Sequence, residues 1–260
     1  MLIWFLSRIY TCGKYLTAEA EAYGNLGMVI SSKKWLTDFL QLFYPHYCEG
    51  CGSDMLTTGQ FLCSRCLINL PATGFFARSN NPVEKIFYGR TDISAAGAAF
   101  FFTKQSLMQH LLIELKYRGN KEAGYFLGRM MAYTLSASDR FHFVEALVPL
   151  PLHPKKENSR GYNQAGLICK GIAEVWQKPV LEQAVIRREF TETQTHQNRI
   201  GRWENMLGVF EVTEPDQLQN RHLLLVDDVI TTGASLEACA TAIRSAVNCQ
   251  ISIATAAYTI

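Results

Sequence analysis

Thirteen consecutive residues constrain this chain more than any others. They read Leu223-Leu224-Leu225-Val226-Asp227-Asp228-Val229-Ile230-Thr231-Thr232-Gly233-Ala234-Ser235. A wholly apolar run ending in two carboxylates is the pattern of a buried strand that delivers acids to the ligand edge of a sheet. The following residues place Leu236, Ala240, Ile243 and Val247 on one face of a helix. Its N-terminus falls among Thr232, Gly233 and Ala234, where unpaired N–H groups and the helix dipole favour an anion. Gly233 lets the backbone approach a phosphate closely, and Thr231, Thr232 and Ser235 add hydroxyl donors. Asp227 and Asp228 can accept two neighbouring hydroxyls, as on a ribose, or bind Mg²⁺ directly or through water. The loop as a whole suits a sugar phosphate. An apolar strand ending in Asp-Asp also resembles a Walker B element, but no GxxxxGK[ST] accompanies it: the one Gly-Lys, at 13–14, is followed by Tyr15. GxSxG and HExxH are absent as well. The bland alternative is an acidic strand end followed by an ordinary Thr-capped helix.

The second constraint is a cysteine box. Cys48-x-x-Cys51 and Cys63-x-x-Cys66 are separated by 11 residues, while Cys12, Cys169, Cys239 and Cys249 stand apart. Two CxxC turns can aim four thiolates at one point, and a tetrahedron of thiolates suits a structural Zn²⁺ with no open coordination position. Gly50 and Gly52 flank Cys51 and ease the turn. A redox pair, a disulfide framework and four buried thiols are the alternatives; a framework needs an oxidising compartment. His46 reads as a surface bystander, and the isolated cysteines as reduced core residues.

Strands alternate with helices after the box. Strands are expected at 95–102, 144–148, 184–187, 208–212, 222–226 and 251–258, and helices at 107–117, 122–136, 161–176 and 234–247. This order predicts an α/β fold with a mainly parallel sheet. Residues 71–91, rich in Gly, Pro, Ser and Asn, read as a linker or irregular connection. The polar stretch 189–207 reads as an active-site lid between two short strands.

At 48% hydrophobic and 18% charged residues the composition is globular, and 25 Lys+Arg against 23 Asp+Glu give a net charge of +2. No global basic field marks a nucleic-acid binder, so such a site would have to be a local patch. No run reaches the length of a membrane span. The N-terminal MLIWFL is shorter than a signal-peptide core and lacks the preceding charge, although AEAEA at 18–22 offers small residues of the cleavage-site kind. The expectation is a cytoplasmic protein. Residues 1–34 carry no motif beyond a short amphipathic stretch at 2–10, and Met28 is an alternative initiator; a helix is expected from Trp35 to Phe43, stopped by Pro45.

The stretch VDDVITTGAS looks like the phosphoribosyl pyrophosphate (PRPP) signature of type I phosphoribosyltransferases. With the cysteine box upstream, the chain resembles the ComF/GntX family of competence-related, phosphoribosyltransferase-like proteins. Pro149-Leu-Pro151-Leu152-His153-Pro154-Lys155-Lys156 with Arg160-Gly161-Tyr162-Asn163-Gln164 is similar to that family's PLxP-basic–RG[FY]NQ segment, and Lys116-Tyr117-Arg118-Gly119 to its KYxG element. The matches span roughly 45–260. The resemblance implies a type I phosphoribosyltransferase-like parallel sheet flanked by helices. It divides the chain into an extension (1–43), a four-cysteine zinc module (44–75) and a phosphoribosyltransferase-like domain (76–260).

It further implies Mg²⁺-bound PRPP, its 5′-phosphate on Thr231, Thr232, Gly233, Ala234 and Ser235, and its ribose hydroxyls on Asp227 and Asp228. Pyrophosphate would lie along His153, Lys155, Lys156 and Arg160, in a loop after the strand at 144–148, for which a basic solvated loop is the bland alternative. Arg199 and Arg202 in the lid are the candidates to neutralise the leaving group, and Lys116 and Tyr117 are either site contacts or a helix cap. Glu189, Glu192 and Glu204 dilute the lid's positive charge. A glycosyltransferase follows from this reading, with no acceptor identified. The family's link to natural transformation implies a role in DNA uptake. It also supports an alternative, a non-catalytic module for single-stranded DNA or a DNA-uptake helicase, using Lys155, Lys156, Arg187, Arg188, Arg199 and Arg202 beside Tyr162 and Trp203.

Overall fold

The computed structural model describes residues 47–54, 56, 59–188 and 209–259. The chain divides into two units, 1–46 and 47–260. All described residues fall in the second, so the readings at 2–10, Met28 and Trp35–Phe43 lie outside them, as does the lid with Arg199, Arg202 and Trp203.

Four strands form a parallel sheet: β1 (Ala95–Phe102), β2 (Ala146–Pro149), β5 (His222–Ile230) and β6 (Gln250–Thr259), in the spatial order β1-β6-β5-β2. Helices α3 (Leu107–Tyr117), α4 (Lys121–Leu135) and α6 (Gln164–Trp176) cover one face, packing Leu111, Leu127 and Ile168 in a core with Leu224 and Val226 of β5. Helices α2 (Pro82–Phe87) and α8 (Ala234–Ala246) cover the other, where Phe87, Leu236 and Ile243 share a core with Leu223 and Leu225. Both faces of β5 are thus buried, which is why its sequence is a continuous apolar run rather than an alternating one. Each such leucine contributes roughly 2 kcal/mol by leaving water. This is the expected parallel α/β architecture.

Register sets the shape of the sheet's carboxyl edge. β2 stops at Pro149, opposite Val226, whereas β6 continues to pair β5 as far as Ile230 opposite Tyr258. Asp227 and Asp228 therefore project past the end of β2, and β5 is longer than the apolar pattern at 222–226 suggests. A separate antiparallel ribbon pairs β3 (Val185–Arg187) with β4 (Phe210–Val212). The short helix α7 (Pro215–Leu218) leads from β4 into β5.

Two readings of the connections need correction. Residues 71–91 are not a linker: they fold into a 3₁₀ turn (Phe75–Ala77) and α2, with Phe75, Phe76 and Phe87 buried. Asn81 caps α2 by accepting from the amides of Val83 and Glu84, and its amide donates to the carbonyls of Phe75, Arg78 and Ala96. The Asn-Pro pair that reads as loop punctuation is a helix start. The basic segment after β2 is likewise not a loop but helix α5 (Pro154–Arg160), with Pro154 in its first turn and His153 as the cap. Helix α6 consequently begins at Gln164, three residues later than expected, because Asn163 caps it.

Candidate functional site

Two sites emerge, one at each end of helix α3. At its first turn lies the cysteine cluster. The sulfurs of Cys48, Cys51, Cys63 and Cys66 all fall within 4.8 Å of one another. A tetrahedral Zn²⁺ with Zn–S bonds of about 2.3 Å holds its sulfurs about 3.8 Å apart; the Cys51 and Cys63 sulfurs are separated by 3.7 Å. The local backbone serves the same geometry. The amides of Gly50 (3.4 Å) and Cys63 (3.2 Å) donate to the Cys48 sulfur. Burial opposes ionisation of Cys48, but these amides and that of Cys51 prevail and bring its thiol down to about 6. Burial and the neighbouring thiols push the Cys66 thiol up. A β-carbon on Gly50 would sit 2.9 Å from the Cys66 sulfur and 2.8 Å from Leu107, so the cluster is pressed onto α3 and tolerates no side chain at that position. Helix α1 (Ser64–Ile68) carries Cys66. The donor set fits a closed zinc site that would staple 47–66 to the domain.

At the last turn of α3 lies the acidic edge. The Lys116 ammonium contacts both carboxylate oxygens of Asp228, at 2.9 and 3.0 Å. Residues alternate across a strand, and Asp227 accordingly faces the α8 side, where its charge helps push up the thiol of buried Cys239, after burial itself. The two acids thus serve opposite faces of the sheet, joined by a 2.8 Å bond from the Asp228 amide to Asp227 Oδ1. Burial, then the charge of Asp228, raises the Asp227 carboxyl to about 8, against the lowering influence of that amide and of Lys116. The pair therefore keeps a proton at neutral pH, with Asp228 drawn to Lys116.

The turn 231–233 follows. Gly233 is buried with φ +71°, in the left-handed region, and a β-carbon there would lie 2.7 Å from Ile86 and 3.1 Å from Phe87. No side chain caps α8. Thr231, Thr232, Ala234 and Ser235 are exposed, and the first amides of the helix have no side-chain cap.

Helix α5 and its flanks border this edge. The Leu150 amide donates to Val226 at 2.8 Å, which ties the segment after β2 to β5. His153 Nδ1 accepts from the Lys155 amide, so that ring is a cap. Lys155 and Lys156 are exposed, with no ion pair among the described residues. Arg160 donates to buried Gln164 at 2.8 Å and lies 5.4 Å over the ring of Tyr117, which is 73% exposed. Tyr162 donates to the Leu115 carbonyl at 2.6 Å, and Asn163 to that of Leu150 at 3.0 Å. The Arg-Gly-Tyr-Asn-Gln run thus anchors α5 and α6 to α3 and β2. Arg188 pairs with Glu211, and Arg187 stacks on Phe210 at 5.5 Å. Two cavities of about 460 and 630 Å³ lie at the opposite, amino edge, among residues such as Arg244, Asn248 and His222. Neither is lined by Asp227, Asp228 or the 231–233 turn.

Comparison with known proteins bears on this arrangement. No family model matches the chain. It is 27% identical over 191 residues to competence protein F of Haemophilus influenzae, covering 73% of this chain and 75% of that one. It is 26% identical over 192 residues to the DNA utilization protein YhgH of Escherichia coli K12, covering 73% and 80%. It is 30% identical over 139 residues to competence protein ComFC of Bacillus subtilis, covering 52% of each chain. The resemblance to the ComF family is borne out. A solved structure, the glutamine PRPP amidotransferase of B. subtilis complexed with ADP and GMP, aligns with a TM-score of 0.39 at 16% identity, over 54% of this chain and 30% of that one. Among the described residues no helix is long and apolar enough to cross a membrane.

The residues expected at the carboxyl edge do gather there in part: Lys116, Asp228 and the 231–235 turn through β5, and Arg160 and Tyr117 through their stack. Arg90, which grips the turn, carries no sequence signal, because its partners lie 142 and 147 residues away.

Proposed function

We propose that this chain is a phosphoribosyltransferase-like protein that binds Mg²⁺-PRPP at the carboxyl edge of its sheet and acts in DNA uptake. The observation that carries the ligand reading is the convergence of an uncapped helix N-terminus, the Lys116–Asp228 pair and Asp227 on one sheet edge. The names of its relatives, a competence protein and a DNA utilization protein, support the cellular role. In this reading 44–75 is the zinc module and 76–260 the ligand-binding domain.

The helix amides and the hydroxyls of Thr231, Thr232 and Ser235 would take the 5′-phosphate. Asp227, on the same face as α8, would meet the ribose first and, carrying a proton, could donate to one of its oxygens. Asp228, held by Lys116, would accept from a hydroxyl. Mg²⁺ would supply charge neutralisation on the pyrophosphate and orient it. Lys155, Lys156 and Arg160, with Arg199 and Arg202 of the lid, would take the pyrophosphate as the anomeric C–O bond breaks and its electron pair leaves with that group. The nucleophile then forms the new bond at the anomeric carbon, which makes the protein a glycosyltransferase of unassigned acceptor.

The test is calorimetric titration of PRPP with Mg²⁺ into wild-type protein and Asp227→Asn/Asp228→Asn. Micromolar binding that the double variant loses is expected; a zinc-loaded wild type that binds nothing would overturn the ligand reading. One observation favours a second reading, a module that grips single-stranded DNA or a helicase partner. Tyr117 offers an exposed ring with Arg160 against it, beside Lys155 and Lys156, which would give a base a platform next to a phosphate-binding patch. Steep salt dependence with little response to PRPP would favour that reading.

A further inference from the structure

The turn at 231–233 is held from outside by one side chain. Arg90 Nη1 donates to the Thr232 carbonyl at 2.9 Å and to the Ile86 carbonyl at 3.1 Å, while Nη2 pairs with Glu237. Its own backbone is fixed, the Arg90 amide donating to Phe87 at 3.0 Å. Gly233 leans on the same segment through Ile86 and Phe87. In a trans peptide the C=O and N–H point opposite ways. The guanidinium that takes the Thr232 oxygen therefore turns the Gly233 N–H away from itself, toward the side an anion would occupy.

Glu237 supplies the second half of the argument. It stands in the first turn of α8, its amide closing on the Gly233 carbonyl at 2.9 Å. Helix side chains lean toward the N-terminus, and the dipole attracts a carboxylate to the free amides there. A released Glu237 would compete with any anionic ligand for those donors. Its partner Arg90 holds it aside.

We infer that Arg90 is the positioning residue of the anion-binding turn, orienting the Thr232–Gly233 peptide and keeping the Glu237 carboxylate off the helix N-terminus. The inference rests on the sugar-phosphate reading given above and adds a residue that reading does not contain. Arg90 and Glu237 side chains are 38% and 28% exposed, so replacing them leaves the core intact.

The experiment is titration of ribose 5-phosphate into wild type, Arg90→Ala, Arg90→Lys and Arg90→Ala/Glu237→Ala. Arg90→Ala should weaken binding about tenfold, the scale of one oriented polar contact. The double variant should recover most of that loss. Arg90→Lys should resemble Arg90→Ala, because a single ammonium cannot fork between the Thr232 carbonyl and Glu237. Unchanged affinity in Arg90→Ala, full affinity in Arg90→Lys, or a double variant no tighter than Arg90→Ala would each overturn the inference. A wild type that does not bind would instead sink the sugar-phosphate reading. Amide hydrogen exchange then decides the role of Arg90: faster exchange over 231–237 in Arg90→Ala, with β1 unchanged, supports it, and unchanged exchange overturns it.

Discussion

Helix α3 joins two unlike sites. At Leu107 it abuts a cluster whose four cysteines come from 19 consecutive positions, 48–66. At Lys116 it reaches Asp228, 112 residues away in sequence. The first site is closed: its sulfurs face one another, its backbone amides already serve Cys48, and no position is left for chemistry. The second is open, with a helix N-terminus that no side chain caps and an acid pair beside one lysine. A local motif suits a staple, because a few fixed spacings settle its geometry. A ligand edge must offer unsatisfied donors, so it has to be held from outside by parts of the chain that are themselves rigid.

If that contrast is right, disturbing the closed site should cost stability most. Cys66→Ser is expected to abolish stoichiometric zinc by metal analysis and to lower unfolding free energy by roughly 3–5 kcal/mol. Unchanged denaturation would break the comparison by making the cluster dispensable. Next comes Asp228→Ala, which strands the Lys116 ammonium where it is only 22% exposed; a loss of about 2 kcal/mol is expected, because a partly buried charge loses its partner. Lys116→Met on that background should return part of it in a denaturation cycle.

The smallest effect concerns Asp227 and carries a pH signature. Its folded carboxyl is raised to about 8 from an ordinary 3.8, so the folded state retains a proton that the unfolded chain releases. Its favourable contribution is complete below about pH 4 and is lost as pH rises through about 8. Asp227→Asn should be near neutral at pH 5 and more stable than wild type at pH 9, by on the order of 2 kcal/mol at most, since Lys116 and partial solvent access screen the charge. Parallel stability curves for the two proteins from pH 5 to 9 would show that the acid pair is not strained.

Part of this architecture is legible in the sequence, where the signals are local. The strand at 95–102 and the helix at 107–117 match the structure, because periodicity and flanking caps are local. The cysteine spacing and the order of strand, two acids, turn and helix were equally local. Residues 71–91 and 154–160 depart from the expectation because Asn, Pro and Lys have loop composition, whereas Asn81 and His153 cap helices.

By itself, then, the sequence determined which residue types could hold a metal and which turn could hold an anion, since both depend on spacing along a few residues. The tertiary structure alone decided that Lys116 neutralises Asp228 and that Arg90 grips the turn. Those facts depend on register and packing between segments more than a hundred residues apart, and no local pattern encodes such a distance.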